Sequence, residues 1–258
     1  FTYSIFRDLM TGKNQNPFYT TKYGERGYYV KRINDKDSLM KNDKRYLQVG
    51  SGYNQYDLMQ KFLLKTGEYM SHGLNIQYSN SGNVPRFDRL TDNVTGGLND
   101  TAKLSSAEWY YGPQMRLFAA YDMNIKKPEG TFENIHFGLN YQAIEESRHN
   151  RNFGSKFRNH RVENVNIIGA NLDFQKTIKT HDLRFGADMQ MNSLKSTAER
   201  EYILASDSIV KLDTRYPDGD NTMNNFAAYF SHTWKINEEL TLTDGFRAGY
   251  SMLHSTLV

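Results

Sequence analysis

The chain has 258 residues, no cysteine, and a net charge of +3 from 32 basic and 29 acidic residues. So small an excess of positive charge argues against nucleic acid as a partner, and no apolar run approaches the length of a membrane-crossing helix. Aromatic residues make up 14 %, with 18 Tyr and 15 Phe against 2 Trp, a bias that suits surfaces meeting both oil and water. From the first residues the chain alternates: Phe1, Tyr3 and Ile5 stand against Thr2, Ser4 and Phe6. It opens without a secretory leader and still alternates near its end, at Phe246–Tyr250. The expectation is therefore a fragment, or the ordered part of a longer protein, across 1–258.

In chain order, strands are expected near 1–10, 45–65, 74–79, 115–122, 135–143, 161–177, 182–192, 223–235 and 240–253, about nine in all. The clearest is 182–192, where Leu183, Phe185, Ala187, Met189 and Met191 alternate with Arg184, Gly186, Asp188, Gln190 and Asn192. Residues 135–143 repeat the pattern, with Ile135, Phe137, Leu139, Tyr141 and Ala143 against His136, Gly138, Asn140 and Gln142. Connections alternate in length. Short polar turns are expected at 65–71, 124–131, 177–182 and 235–239; long loops at 11–44, 80–106, 147–160 and 195–222. Short turns at one end and long loops at the other characterise an outer-membrane barrel. The fold class expected is thus all-β, a transmembrane antiparallel up-and-down β-barrel. Eleven residues of tilted strand span roughly 26 Å, close to the apolar band of about 25 Å in such barrels. Arg184 and Asp188 must then face the lumen. Trp109, Tyr110, Tyr111, Phe132 and Trp234 take interfacial girdle positions. The other reading is a soluble all-β domain, which would need a second layer over each apolar face.

Four segments carry a family resemblance: Val84–Thr91 with Pro85, Arg86, Asp88 and Arg89; Ala107–Gln114 with Glu108, Trp109, Tyr110, Tyr111 and Gln114; Tyr141–Arg148 with Glu145, followed by Arg151; and Thr214–Asp218. Together they resemble the barrel of TonB-dependent outer-membrane receptors of the Bacteroidetes type, in the haem and iron receptor branch. The resemblance implies a 22-strand barrel closed by an N-terminal plug, of which this sequence holds about nine strands and no plug. It implies a Gram-negative outer membrane, surrounding lipid, and the TonB-ExbB-ExbD complex as partner through the plug. It also implies no catalysis, no permanent cofactor, and cargo such as haem or a ferric siderophore, delivered in some systems by a surface lipoprotein. The haem-receptor signature Phe-Arg-Ala-Pro followed by Asn-Pro-x-Leu is absent; Asn16-Pro17-Phe18 is a partial echo.

Candidate ligand residues are Arg86, Asp88 and Arg89 at the mouth, which would grip an anionic ligand or instead form an ion-pair lattice with Glu108 or Glu145. His149 and His160 are expected on an outer loop, where either could ligate haem or be an ordinary loop residue. His181 is expected in solvent and His136 in the lumen. Glu145 and Glu146 are strand neighbours pointing to opposite faces, a poor acid–base pair. Gly96-Gly97 reads as a flexible turn, and no metal-ligand spacing or catalytic triad is present. Two functional readings remain: a TonB-dependent receptor for a scarce bulky nutrient, or a passive porin or structural barrel. So partial a barrel, with two open edges in lipid, is expected not to fold alone.

Overall fold

The computed structural model describes residues 1–11, 24–94, 104–204 and 208–257. Asn16-Pro17-Phe18 and Gly96-Gly97 lie outside the described residues. Nine strands form one antiparallel path: β1 (Thr2–Phe6), β4 (Tyr53–Thr66), β5 (Met70–Ser81), β8 (Met115–Lys126), β9 (Asn134–Asn152), β10 (Phe157–Ile178), β11 (His181–Tyr202), β13 (Asn221–Lys235) and β14 (Thr241–Ser255). Each expected strand has its counterpart on this path, in order. The remaining elements sit at the long-loop end. They are a separate hairpin, β2 (Tyr28–Ile33) with β3 (Lys36–Lys41); the short β6 (Val84–Pro85); one helical turn, α1 (Phe87–Thr91); β7 (Ser106–Tyr111), which joins β6 to β9; and β12 (Ile209–Lys211), which extends β11.

Direct cross-strand partners share a face, so the register sorts every side chain. On one face Leu139 neighbours Ala170, Ala170 neighbours Met189, and Met189 neighbours Phe226. Large apolar side chains stay exposed here, among them Leu74, Ile76, Leu139, Ile168, Leu172 and Met191. The apolar run on this face stops along a line of Asn80, Glu145, Asn166, Ser193 and Asn224. Tyrosines sit just beneath that line: the Tyr141 hydroxyl donates to Asn166 Oδ1 at 2.7 Å, and Tyr78 packs on Tyr56 while accepting from Asn80. At the short-turn end Phe132, Phe174 and Phe185 cluster, and Trp234 stacks on His181. Two aromatic belts therefore bracket an apolar band, as amphipathic rings do at a membrane interface.

The opposite face is polar, and within the band its side chains bond one another across the strands. Tyr229 donates to Asp173 Oδ1 at 2.6 Å, His136 Nδ1 meets Asp173 Oδ2 at 3.1 Å, and His136 Nε2 meets Asp122 at 3.2 Å. Glycine makes this crossing possible. A Cβ on Gly186 would lie 2.6 Å from the Leu172 carbonyl and 2.7 Å from the Tyr229 ring, so the bare position lets Tyr229 lie across it. Arg247 holds Asp188 at 2.7 Å on the same face. Arg184 and Asp188 thus take the polar side, paired to Asp182 and Arg247 respectively.

Three expectations need correcting. The segment 147–160 is not a long loop: β9 and β10 run on past the apolar band and join through 153–156, so their hydrogen-bond ladder outlasts their amphipathic pattern. The 195–222 loop likewise begins only after β11 ends at Tyr202. His181 is not a solvated turn residue; it stacks between His232 and Trp234 and contacts His232 Nε2 at 2.9 Å.

Candidate functional site: the mouth above the apolar band

The long-loop end is shaped by a bulge. From Met115 to Tyr111 the chain moves four residues while its partner on β9 moves only three, from Glu145 to Arg148. Gly112, at φ +103, makes the turn, and a Cβ there would sit 2.5 Å from the Gly82 carbonyl. The bulge re-aims β7. Trp109 and Tyr111 consequently face the polar side of the sheet beside Asn150 and Arg148, and Tyr110 faces the other side against His149. This corrects the girdle assignment of Trp109 and Tyr111, which line the mouth stacked with arginine, whereas Tyr110 stays on the side continuous with the apolar face, stacked on His149.

On the polar side, Arg86 lies over Trp109 at 4.9 Å, with Arg148 at 5.5 Å from the same ring and 5.2 Å from Tyr111. Arg86 is committed locally. Its Nε donates to both Asp88 oxygens at 3.0 and 3.1 Å, and its Nη1 donates to the Tyr111 hydroxyl. Arg89 pairs with Asp92 at 3.2 Å. These charges form internal ion pairs with their own segment, and Glu108 and Glu145 take no part in them. Pro85 pairs with Tyr110 in the short β6–β7 ladder, which fixes α1 against the wall. Nearby, Tyr111, Gln114, Glu146, Arg148, Glu163 and Arg215 line a small cavity.

On the other side lies a continuous ion-pair lattice. Arg151 is its centre, with its side chain 1 % exposed. It donates to Asp37 through Nη1 at 2.7 Å and Nη2 at 2.9 Å, to Glu108 at 2.9 Å, and to the Ser155 carbonyl at 2.8 Å. Glu108 Oε2 then accepts from Arg158 at 2.6 Å, Arg158 reaches Glu201 at 3.2 Å, and Glu201 meets His160 Nε2 at 3.0 Å. His160 Nδ1 closes on His149 Nδ1 at 2.6 Å, and Tyr110 stacks on His149 at 4.8 Å. His149 and His160 are thus not loop residues: they oppose each other across the β9–β10 ladder. Burial alone would raise the carboxyls of Asp37 and Glu108. The bonds and charge of their arginines outweigh it, and both end below the ordinary carboxylate range.

The sequence reading found Glu108 and Arg151 through the family segments and missed Asp37, Arg158 and Glu201. Nothing local marks Asp37, which lies 114 residues from its partner. Arg158 and Glu201 become visible only once β10 and β11 are known to continue upward, which places them directly opposite each other. Glu145 and Glu146 do take opposite faces, beside Met115 and Glu163 respectively. Among the described residues no group of three or more His, Cys, Asp or Glu side chains is arranged to hold a metal ion.

No family model and no curated protein sequence matches this chain. Its fold is shared with a solved outer-membrane transporter, the copper transporter OprC, with a TM-score of 0.59 at 11 % identity, over 80 % of this chain and 29 % of that one. The ferric citrate transporter FecA in its unliganded form aligns with a TM-score of 0.48 at 15 % identity, over 83 % of this chain and 31 % of that one. The chain therefore spans less than a third of either structure. Its fold is a partial antiparallel β-barrel of the outer-membrane type. Among the described residues no helix is long and apolar enough to cross a membrane.

Proposed function

We propose that this chain forms wall and mouth of a TonB-dependent outer-membrane receptor that imports a scarce, bulky nutrient, with iron as haem or ferric siderophore the leading cargo. The observation that carries the reading is the built mouth. Above the apolar band, β9, β10 and β11 continue as a charged wall, and β6, α1 and the segment bearing Arg215 fold against its polar side, held by cation–π and ion-pair contacts. A pore passing small solutes needs no such scaffold; a receptor that must capture a large ligand does. The shared fold with a copper transporter is in keeping with this. Energy coupling through TonB-ExbB-ExbD belongs to the same proposal, as do an outer-membrane location in a Gram-negative cell and a Bacteroidetes-type haem branch.

The test is uptake by iron-starved cells that carry or lack this protein, with and without functional TonB. Uptake of haem or a ferric siderophore that needs both is the expected result. Uptake of small solutes indifferent to TonB would make the protein a passive porin. Haem as cargo is read separately, by haemin titration of the full-length protein in detergent. A saturable Soret shift weakened by His149→Ala or His160→Ala would make haem the cargo and these its iron ligands. Its absence would move the cargo to a siderophore.

A further inference from the structure

Most arginines of the mouth are neutralised. Arg86 has Asp88, Arg89 has Asp92, Arg151 has Asp37 and Glu108, Arg158 has Glu108 and Glu201, and Arg215 has Glu163. Two are not. Arg148 and Arg161 are direct cross-strand partners on β9 and β10, on the polar face just above the apolar band. Among the described residues neither makes an ion pair or a side-chain hydrogen bond, and the Nε of Arg148 is buried with no hydrogen-bond partner at all. The next position along the row, on β11, is Ala198, so no acid flanks the pair there.

Like charges placed directly opposite each other in a ladder destabilise it. A buried guanidinium nitrogen without an acceptor adds a desolvation cost. The rings of Trp109 and Tyr111, and the carboxylates of Glu146 and Glu163 two residues away on the same face, offset part of these costs, but none of them supplies either guanidinium with a hydrogen-bond acceptor. Glu146 lies on the same face two residues below Arg148 and forms no ion pair with it, while Glu163 is engaged by Arg215 at 3.8 Å and by the Ser196 hydroxyl. The Arg148 guanidinium rests against the rings of Trp109 and Tyr111, which leaves its N–H edge for a planar oxyanion. It opens on the cavity lined by Tyr111, Gln114, Glu146, Glu163 and Arg215, and Arg161 stands beside that cavity as the cross-strand partner of Arg148.

We propose that Arg148 and Arg161 form a site for a ligand bearing two or more carboxylates, the geometry pointing to one carboxylate per guanidinium. Side chains directly opposite in a ladder start about 5 Å apart at Cβ, so one polycarboxylate reaches both. Both a carboxylate-rich metal chelate and the propionates of a porphyrin present this chemistry. The inference rests on the receptor reading only in taking the polar face as the barrel interior. It assigns the anion-gripping role to Arg148 and Arg161, and leaves Arg86 and Arg89 as structural ion pairs.

The test is calorimetric titration of the full-length protein in detergent at low salt, with citrate as the first probe. Haemin and haemin dimethyl ester, whose propionates are masked, are the second and third. Citrate binding weakened at least tenfold by Arg148→Gln and by Arg161→Gln, and unchanged by Arg89→Gln, is the expected result, with heat-modifiable gel mobility confirming that each variant is folded. Haemin binding that shares this arginine dependence and is lost in the diester identifies a porphyrin; citrate binding alone identifies a chelate. Absence of binding by both citrate and haemin, binding that survives both arginine substitutions, or equal binding of haemin and its diester without citrate binding overturns the site. Binding in detergent needs no TonB. Failure here with TonB-dependent uptake intact would sink the site alone, and passive uptake with arginine-dependent binding would sink the receptor reading alone.

Discussion

Arg151 grips Asp37 with two hydrogen bonds of 2.7 and 2.9 Å, across 114 positions of sequence and with both side chains 1 % exposed. The contact fastens the β2–β3 hairpin to the β9–β10 turn, where Asp37 also accepts from the Gly154 amide. Breaking a buried pair by removing one partner costs about 3–5 kcal/mol. Arg32, 3.5 Å from Asp37, offsets part of that. Arg151→Ala is expected to release the hairpin and leave the barrel strands folded. Limited proteolysis should then cut within 24–41 while heat-modifiable mobility persists; an uncut hairpin would refute the anchoring role.

Acid should loosen the same joint. The carboxyls of Asp37 and Glu108 are depressed in the folded mouth and return to ordinary values, about 3.9 and 4.3, once exposed. A depressed carboxyl contributes stability that is complete above its unfolded value and disappears as pH falls through its folded one. The docked hairpin is therefore expected to hold from neutrality down to about pH 4 and to loosen below. Hydrogen exchange of the β2 and β3 amides, corrected for intrinsic rate, would show this as protection lost only in that acid range.

Neighbouring alanines on β13 provide a sharp assay of the two faces. Ala228 lies on the apolar face between Ala187 and Ala248, and Ala227 lies on the polar face beside Asp188 and Gly249. Arginine at the lipid midplane of a barrel costs about 2–4 kcal/mol. Ala228→Arg should sharply reduce the folded fraction recovered in lipid or detergent, with Ala227→Arg far better tolerated. Equal yields would mean that the band is not in lipid, and a greater loss with Ala227→Arg that the faces have been assigned in reverse.

Gly186→Ala should damage the polar face from within. Its new methyl would meet the Leu172 carbonyl at 2.6 Å, a backbone atom that cannot swing away, and would push Tyr229 off Asp173. Overpacking of this kind costs about 1–3 kcal/mol. Gly249→Ala, whose nearest contact would be an ordinary 3.5 Å, is the control expected to behave as wild type. Thermal unfolding followed by gel mobility separates the two.

How much of this was legible follows from the physics of each segment. The nine-strand path could be read because lipid on one face and water on the other force a period of two over some ten residues. Above Glu145, Asn166 and Ser193 both faces meet water, so the alternation ends although the ladder continues, and the strand tops were read as loops. The β2–β3 hairpin had a signal that went unused: Asn34-Asp35, at φ 45 and 58, takes the left-handed turn that favours these residues. The face of Trp109 and Tyr111 could not be derived, because the one-residue bulge at Gly112 inverts the parity on which a face assignment depends. Of the candidate site, Glu108 and Arg151 were visible as residues; their partners were not, since ion pairs between distant strands leave no trace in local composition.

The unequal strand lengths make the rim uneven. β9, β10 and β11 run to 19, 22 and 22 residues, whereas β4, β5, β13 and β14 have 14, 12, 15 and 15. At about 3.3 Å per residue and a tilt near 45°, an excess of seven residues lifts the tops of these three strands roughly 16 Å above those on either side of them. The described stretch of rim is therefore a parapet at its centre that falls to a low sill on each flank.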